Sequence, residues 1–515
     1  MDEVRETPEA VPGRLMEFLT PPWPHQLESF ERAKDLSYFA FLYRPGRGKT
    51  KVAIDTCRYK YAHARRVLRT LIFTPPVVVD KWQEEWLKNS KLTSTEVRTL
   101  TGPGVERMRQ FQKWGFSTTS IGVTGRVFIT NYESLLMKDL YQRMFEWEPE
   151  IIILDESHRC KAHNTKRSKL MDGLCNPRNP KTKRLLPRPQ VFLLTGTPLL
   201  NTPADMFFQW KLMDGGEAFG KYFTRFRDQY FRDRNAGMRQ NSQRYFPKWE
   251  LRTKEKDFFD GAGEIGFRAQ KYSHVVQEDD PRLPPLILIT LDTEMLPEQK
   301  KIYKEMKQEF VTWLEGEVVS ASMALTKALR LMQIASGFVK TEEGNIKSLP
   351  ETPKDAALKD LLEDFAPHHK IIVWAVFKEN YSRIRKICDG LGLPYVELHG
   401  DVAEGQRQKN IDAFNTSAET RVLIGHPGSG GIGIDLIASD ISIYYSRSFS
   451  LEFDIQSEAR NRRGGSEIHK TITRYDLVCK GTIEELVLKR LRAKKEISES
   501  VLMEMKEEMR DAVTG

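Results

Sequence analysis

The run Gly46-Arg47-Gly48-Lys49-Thr50 follows an apolar segment, Phe39 to Tyr43, and leads into a helical pattern over 51–61. A Gly-containing turn that opens a helix can wrap phosphate oxygens in backbone N–H groups, with a Lys on the β and γ phosphates and a hydroxyl on Mg2+. On this reading Gly46, Arg47, Gly48 and Lys49 hold a nucleoside triphosphate, and Thr50 ligates the metal. The full G-x-x-x-x-G-K-[ST] pattern is not met, because Tyr43 stands at its first position. A second signal comes from Asp155-Glu156-Ser157-His158, at the end of the apolar run Ile151 to Leu154. Paired carboxylates there are costly unless they meet a cation or a reacting water. Asp155 is therefore assigned to Mg2+ and Glu156 to polarising the attacking water. The bland alternatives are a plain glycine turn and a solvated acidic strand end, and the agreement of two signals weakens both.

These residues need elements to hold them. Short apolar runs rich in β-branched or aromatic residues recur at 39–43, 71–75, 127–130, 151–156 and 191–197, with helical patterns between them. The rhythm stops near residue 200 and resumes at 371–377, 395–400, 421–427, 441–446 and 471–478. Near-continuous apolar runs suit parallel strands covered on both faces, so the fold class is α/β with two parallel-sheet domains. The expected organisation is an N-terminal extension (1–20), a first sheet lobe (21–202), a basic, mostly helical insertion (203–340), a linker (341–355), a second lobe (356–481) and a helical tail (482–515).

At 515 residues the chain is long enough for about three domains. With 40% hydrophobic and 29% charged residues it is too apolar for wholesale disorder. No apolar run approaches the roughly 20 residues of a spanning helix, and the N-terminus is polar, so a soluble, cytoplasmic protein is expected. The five cysteines are scattered without a C-x-x-C pair, which reads as packing thiols in a reducing compartment. The net charge of +9 is unevenly spread, because residues 159–260 hold 22 Lys and Arg against 10 Asp and Glu.

The ordered motifs resemble helicase superfamily two, and Thr195-Gly196-Thr197-Pro198 followed by Asn201 resembles its Swi/Snf-like branch. The second half agrees. Gly430 to Leu436 resembles motif V, and Gln456-Ser457-Glu458-Ala459-Arg460-Asn461-Arg462-Arg463 resembles motif VI. The resemblance implies two RecA-like lobes and ATP with Mg2+ as cofactors. It implies that Gln26, in Pro24-His25-Gln26, reads the adenine, and that Gly433 and Asp435 lie at the nucleotide. Gln456 belongs to the catalytic set, while Arg460 and Arg463 act as arginine fingers; the 456/460/463 spacing places all three on one helix face. The chain departs from the family where Tyr43-Arg44-Pro45 replaces an acidic stretch, where His426 and Pro427 precede motif V, and where Asp435 replaces a frequent Asn.

A polyanionic partner, duplex DNA, is expected. The basic segment carries Arg225, Arg227, Arg232, Arg234 and Arg244 among aromatics, a composition suited to phosphate-backbone binding. Thr74, in the motif Ia-like Phe73-Thr74-Pro75, and Thr130 with Asn131, in a motif Ib-like stretch, are further expected contacts. The leading expectation is an ATP-dependent, monomeric double-stranded DNA translocase in replication, recombination or repair. A strand-separating helicase and a nucleotide-dependent clamp are the alternatives.

Overall fold

The computed structural model describes residues 17–116, 118–119, 122–123, 126–196, 204–234, 236, 249–253, 261–276, 282–316, 321–340, 345–428 and 434–493. The chain divides into two units. The first comprises Met1–Arg44, Gly48–Leu199 and Pro203–Gln277; the second comprises Pro45–Arg47, Leu200–Thr202 and Glu278–Gly515.

The first unit is built on strands β1 (Tyr38–Tyr43), β2 (Thr70–Thr74), β3 (Val97–Thr99), β4 (Val127–Asn131), β5 (Ile151–Asp155), β6 (Gln190–Leu194) and β7 (Ser273–Val276). They form one parallel sheet in the order β7-β1-β6-β5-β2-β4-β3. Alternate side chains go to opposite faces, as a pleated strand requires. Ala40, Leu42, Leu71, Phe73, Ile152 and Leu154 enter one buried cluster, while Phe39, Phe41, Ile72, Ile151 and Ile153 enter the other. A strand buried on both faces has to be apolar throughout, which is why these runs do not alternate in sequence.

The second unit holds β8 (Leu286–Thr293), β9 (Ile371–Trp374), β10 (Tyr395–Leu398), β11 (Val422–Gly425), β12 (Ile441–Tyr444) and β13 (Ile472–Cys479). This sheet is also all parallel, in the order β8-β13-β12-β9-β11-β10. All ten expected strands are present. The three additional ones, β3, β7 and β8, either are short and mixed or lie inside the segment expected to be helical.

That segment is not a separate body. Its helices Asp205–Asp214 and Phe223–Tyr230 bury Phe207, Trp210, Phe226 and Tyr230 in the first unit's core, and β7 extends the first sheet. From β8 onward the chain belongs to the second sheet. The expected linker is also folded. Ile346–Ser348 pairs with Phe338–Lys340, and the helix Pro353–Phe365 opens with a reciprocal cap between Thr352 and Asp355. In the expected tail, the helix Ile483–Arg492 buries Val487, Leu488 and Leu491 in the second unit. All five cysteines are free and buried, and burial pushes the Cys57 and Cys160 thiols up to about 12, as packing thiols should be. Among the described residues no helix is long and apolar enough to cross a membrane.

One buried ion pair ties these late elements together. Lys354 donates to Glu484 at 2.6 Å, with side chains 0% and 3% exposed, and the other Glu484 oxygen accepts from the Cys479 N–H at 2.9 Å. Removing one partner strands a buried charge. Lys354→Met is therefore expected to cost roughly 3–5 kcal/mol in urea unfolding. The double variant Lys354→Met/Glu484→Gln, which keeps an acceptor for Cys479, should recover most of that loss. Equal stability of Lys354→Met and the parent would show that the pair contributes nothing.

Candidate nucleotide site and its relatives

Five strands of the first sheet end on one edge, which places Tyr43, Thr74, Asn131, Asp155 and Thr195 near one another, as parallel topology dictates. After β1 the chain turns through Gly46 and Gly48, with φ of +80° and +73°, and enters the helix Lys49–Ala64. No side chain caps this helix, so first-turn N–H groups are left to meet an anion. Gln26 sits on this turn. Its amide donates to the Gly48 carbonyl at 3.4 Å, and its oxygen accepts from the Trp23 N–H. A Cβ at position 48 would lie 2.2 Å from that amide nitrogen.

Lys49 is buried, donates to the Tyr43 carbonyl at 3.2 Å and lies 3.7 Å from Glu156 Oε1. Thr50, the next residue, is half-buried. Asp155 is 4% exposed, and its Oδ2 accepts from both the Thr74 hydroxyl and the Trp82 indole N–H at 2.8 Å. Tyr132 donates to the Asp155 carbonyl at 2.7 Å. Both side-chain bonds fall on one oxygen, Oδ2. Burial, then the adjacent Glu156 charge, raises the Asp155 carboxyl to about 6, which marks a place short of positive charge.

Glu156 ends the strand at φ +52°, a left-handed conformation that non-glycine residues adopt only under constraint. Burial alone would raise its carboxyl, but Lys49 and then His158 outweigh that and bring it down to about 2. The Thr195 hydroxyl donates to Glu156 Oε2 at 3.4 Å, and His158 Nδ1 lies 3.2 Å from that oxygen and 3.1 Å from Thr195. Ser157 donates to Gln209 on the helix Asp205–Asp214. The donor set suits Mg2+, which takes one or two protein oxygens and completes its shell with phosphate and water. A protein-only cage of three or more His, Cys, Asp or Glu side chains is absent among the described residues.

In the second unit the structure brings Asp435, Arg460 and Arg463 together. Both arginines reach the Ile434 carbonyl, at 3.4 and 3.3 Å, and Arg463 pairs with Asp435 at 2.6 Å. The expected shared helix face is not what unites them, because that helix spans only Leu451–Glu458. Beyond it the Arg460 N–H bonds three residues back to Ser457, and its carbonyl accepts from Leu436, drawing the chain into a turn. Gln456 stays on the helix and donates to Glu452. Gly433 and Arg244 lie outside the described residues, as do Thr197, Pro198 and Asn201.

Three of the expected nucleic-acid contacts, Thr74, Thr130 and Asn131, are buried and hydrogen-bonded within the protein. Thr74 is committed to Asp155, and Thr130 bonds Ser134 at 2.7 Å. Asn131 caps the turn Tyr132–Leu136 through the Ser134 N–H and also accepts from Arg107. Arg225 and Arg232 are exposed, whereas Arg227 pairs with Asp228 and Arg234 with Glu250, each at 3.0 Å. Trp82 and Tyr132, expected only as parts of the motif Ia- and Ib-like stretches, instead bond Asp155, contacts that form only when separate strands converge, and His158, two residues from Glu156, lies 3.2 Å from it.

Residues 41–338 match the SNF2-related domain and 353–465 the helicase conserved C-terminal domain. An uncharacterized ATP-dependent helicase of Mycoplasma genitalium is 23% identical over 468 residues, 89% of this chain and 40% of that protein. The DNA repair and recombination protein RDH54 of Saccharomyces cerevisiae strain YJM789 is 23% identical over 455 residues, 84% of this chain and 46% of that one. The chain thus spans less than half the length of these relatives. Among solved structures, a Sulfolobus solfataricus SWI2/SNF2 ATPase core in complex with dsDNA covers 96% of this chain and 97% of its own at 19% identity, with a TM-score of 0.40.

Gly48→Ala is expected to weaken ATP binding at least tenfold in a fluorescent-nucleotide titration, because it combines a left-handed φ with a clash against Gln26. Wild-type affinity would show that the turn tolerates a side chain. With the domain matches covering most of the described strands and the motif residues gathered as above, the chain belongs to the SNF2-related family, the Swi/Snf-like branch of helicase superfamily two.

Proposed function

We propose that the chain hydrolyses ATP and uses the energy to translocate on double-stranded DNA, in replication, recombination or repair. The observation that carries the first part is the buried Lys49–Glu156–Asp155 cluster beside an uncapped helix start. Lys49 and the first-turn N–H groups bind the phosphates, and Gln26 contacts the base. Thr50 and Asp155 would hold Mg2+, which when bound would neutralise charge on the phosphate oxygens. Glu156, held ionised, accepts a hydrogen bond from the attacking water and orients it rather than storing a proton at neutral pH. Arg460 and Arg463 are assigned to charge developing on the transferring phosphoryl group.

Support for the DNA part comes from the exposed cations Arg225 and Arg232 and from relatives named for DNA repair and recombination. Other relatives are named ATP-dependent helicases, which favours strand separation as a second reading. Displacement of a labelled strand from a forked duplex by the protein alone would establish that reading over translocation.

Lys49→Ala and Glu156→Gln are each expected to abolish turnover, and Arg460→Ala to remove hydrolysis while leaving ATP binding largely intact. Undiminished steady-state ATPase in any of the three would contradict its role. ATPase rates measured in parallel with no nucleic acid, single-stranded, duplex and forked DNA, and RNA test the substrate. Stimulation by duplex supports the proposal, and stimulation by RNA alone would sink it. Arg225→Ala/Arg232→Ala should weaken duplex binding more than Arg227→Ala/Arg234→Ala, because the latter pair is already engaged by acids. Equal losses would remove the distinction.

A further inference from the structure

Residues 176–189 connect the helix Lys166–Cys175 to β6 and contain five cations, Arg178, Lys181, Lys183, Arg184 and Arg188, with no acid. Such a stretch is usually a solvated, shapeless loop. Here it is folded. Arg178 and Leu185 form an antiparallel bridge, the Leu186 N–H donates to the Pro177 carbonyl at 2.9 Å, and the Asn179 N–H donates to the Arg184 carbonyl at 2.8 Å. The Asn179 side chain accepts from the N–H groups of both Lys181 and Thr182 at 2.9 Å, closing the turn. Pro177, Pro180, Pro187 and Pro189 stiffen it further.

The five cations divide by use. Arg188, at the base, is spent on the carbonyls of Cys175, Leu212 and Met213, which anchors the hairpin to the first unit. Arg178 donates within the hairpin to the Lys183 carbonyl. At the tip, Lys181, Lys183 and Arg184 are exposed, and none pairs with an acid among the described residues. Lys183 is held at φ +59°, a conformation a lysine adopts only under constraint. A rigid scaffold therefore presents three unneutralised charges, and little ordering cost remains to be met on binding.

Its location separates it from the nucleotide edge. The hairpin feeds the start of β6, where the Gln190 N–H bonds the Glu150 carbonyl, whereas Lys49, Asp155 and Thr195 lie where the strands end. Five-residue strands put roughly 15 Å between those edges. Cations without acids and Leu185 as the tip's lone exposed large apolar side chain suit a phosphate backbone better than an acidic peptide, which also needs apolar anchors.

We infer that the hairpin over 176–189 is a second nucleic-acid contact, in which Lys181, Lys183 and Arg184 grip duplex phosphates at the sheet edge opposite the nucleotide. This rests on the reading that the chain acts on duplex DNA. The test uses the full chain, titrated with a blunt mixed-sequence duplex over a NaCl series. Lys181→Ala/Lys183→Ala/Arg184→Ala is expected to lower affinity about tenfold or more near 0.1 M salt and to flatten the log–log salt slope by about 2 to 3. ATPase without DNA should be unchanged, and the charge-keeping variant Lys181→Arg/Lys183→Arg/Arg184→Lys should retain wild-type affinity and slope. If the wild type binds duplex and the alanine variant matches it in affinity and slope, the hairpin inference alone falls. If the alanine variant keeps duplex affinity but loses binding to polyglutamate, the hairpin is a site for acidic protein and the inference is overturned. If the wild type binds no duplex, the proposed function falls with it.

Discussion

Two adjacent carboxylates, each almost wholly buried, sit at the end of β5, and one ammonium, Lys49, lies 3.7 Å from Glu156. This is the constraint on which the first unit depends. Asp155 and Glu156 repel each other in a medium that screens poorly, and Lys49 can balance only one of them. The structure resolves the imbalance unequally. Glu156 takes Lys49, His158 and Thr195 and stays ionised, while Asp155 takes two neutral donors and is pushed toward its protonated form.

Every neighbouring element can be read as support for that pair. Thr74 and Trp82 come from β2 and the helix Val79–Asn89, Tyr132 from the turn after β4, and Lys49 from the helix after β1. Parallel strands alone would bring these ends near one another, but the hydrogen bonds fix their distances. The left-handed Glu156 turns the chain out of the sheet, so that Ser157 reaches Gln209 and His158 reaches Thr195 at the end of β6. Glu156 is thereby joined to the strand that leads into the T-G-T-P run.

Much of this was legible in the sequence, for identifiable reasons. Strands buried on both faces leave continuous apolar runs, and phosphate chemistry leaves Gly, Lys, Thr and paired acids at tight local spacing. What stayed hidden was non-local. Thr74 and Asn131 have the composition of surface contacts, yet one holds Asp155 and the other caps a turn. The arginines at 460 and 463 keep helical spacing, but a backbone bond from Leu436 to Arg460 bends the chain before the helix can carry them. β7 and β8 were not expected because Ser273–Val276 is short and Leu286–Thr293 lies in the segment read as helical, with only the acidic, proline-containing run 277–285 between them.

Charge shows the same limit from the other side. A surplus of 12 cations over residues 159–260 describes a composition, whereas a polyanion meets only those charges that are exposed and uncommitted. Lys161 is held by Asp205, Arg167 by Glu133, Lys211 by Asp172, Arg227 by Asp228 and Arg234 by Glu250. Each sits beside an acid that cancels its charge locally, so it adds less to the field a phosphate meets than a cation with no such neighbour. Arg225, Arg232 and the hairpin tip are exposed and pair with no acid among the described residues. The cations without an acidic partner among the described residues therefore mark where a polyanion would be met more sharply than the total charge does. Some lie on the helix and ribbon region after residue 220, others on a rigid hairpin at the starting edge of the sheet. A polyanion long enough to meet both would be held at two points by one lobe, and the orientation of that lobe on the duplex would be fixed by geometry rather than by charge alone.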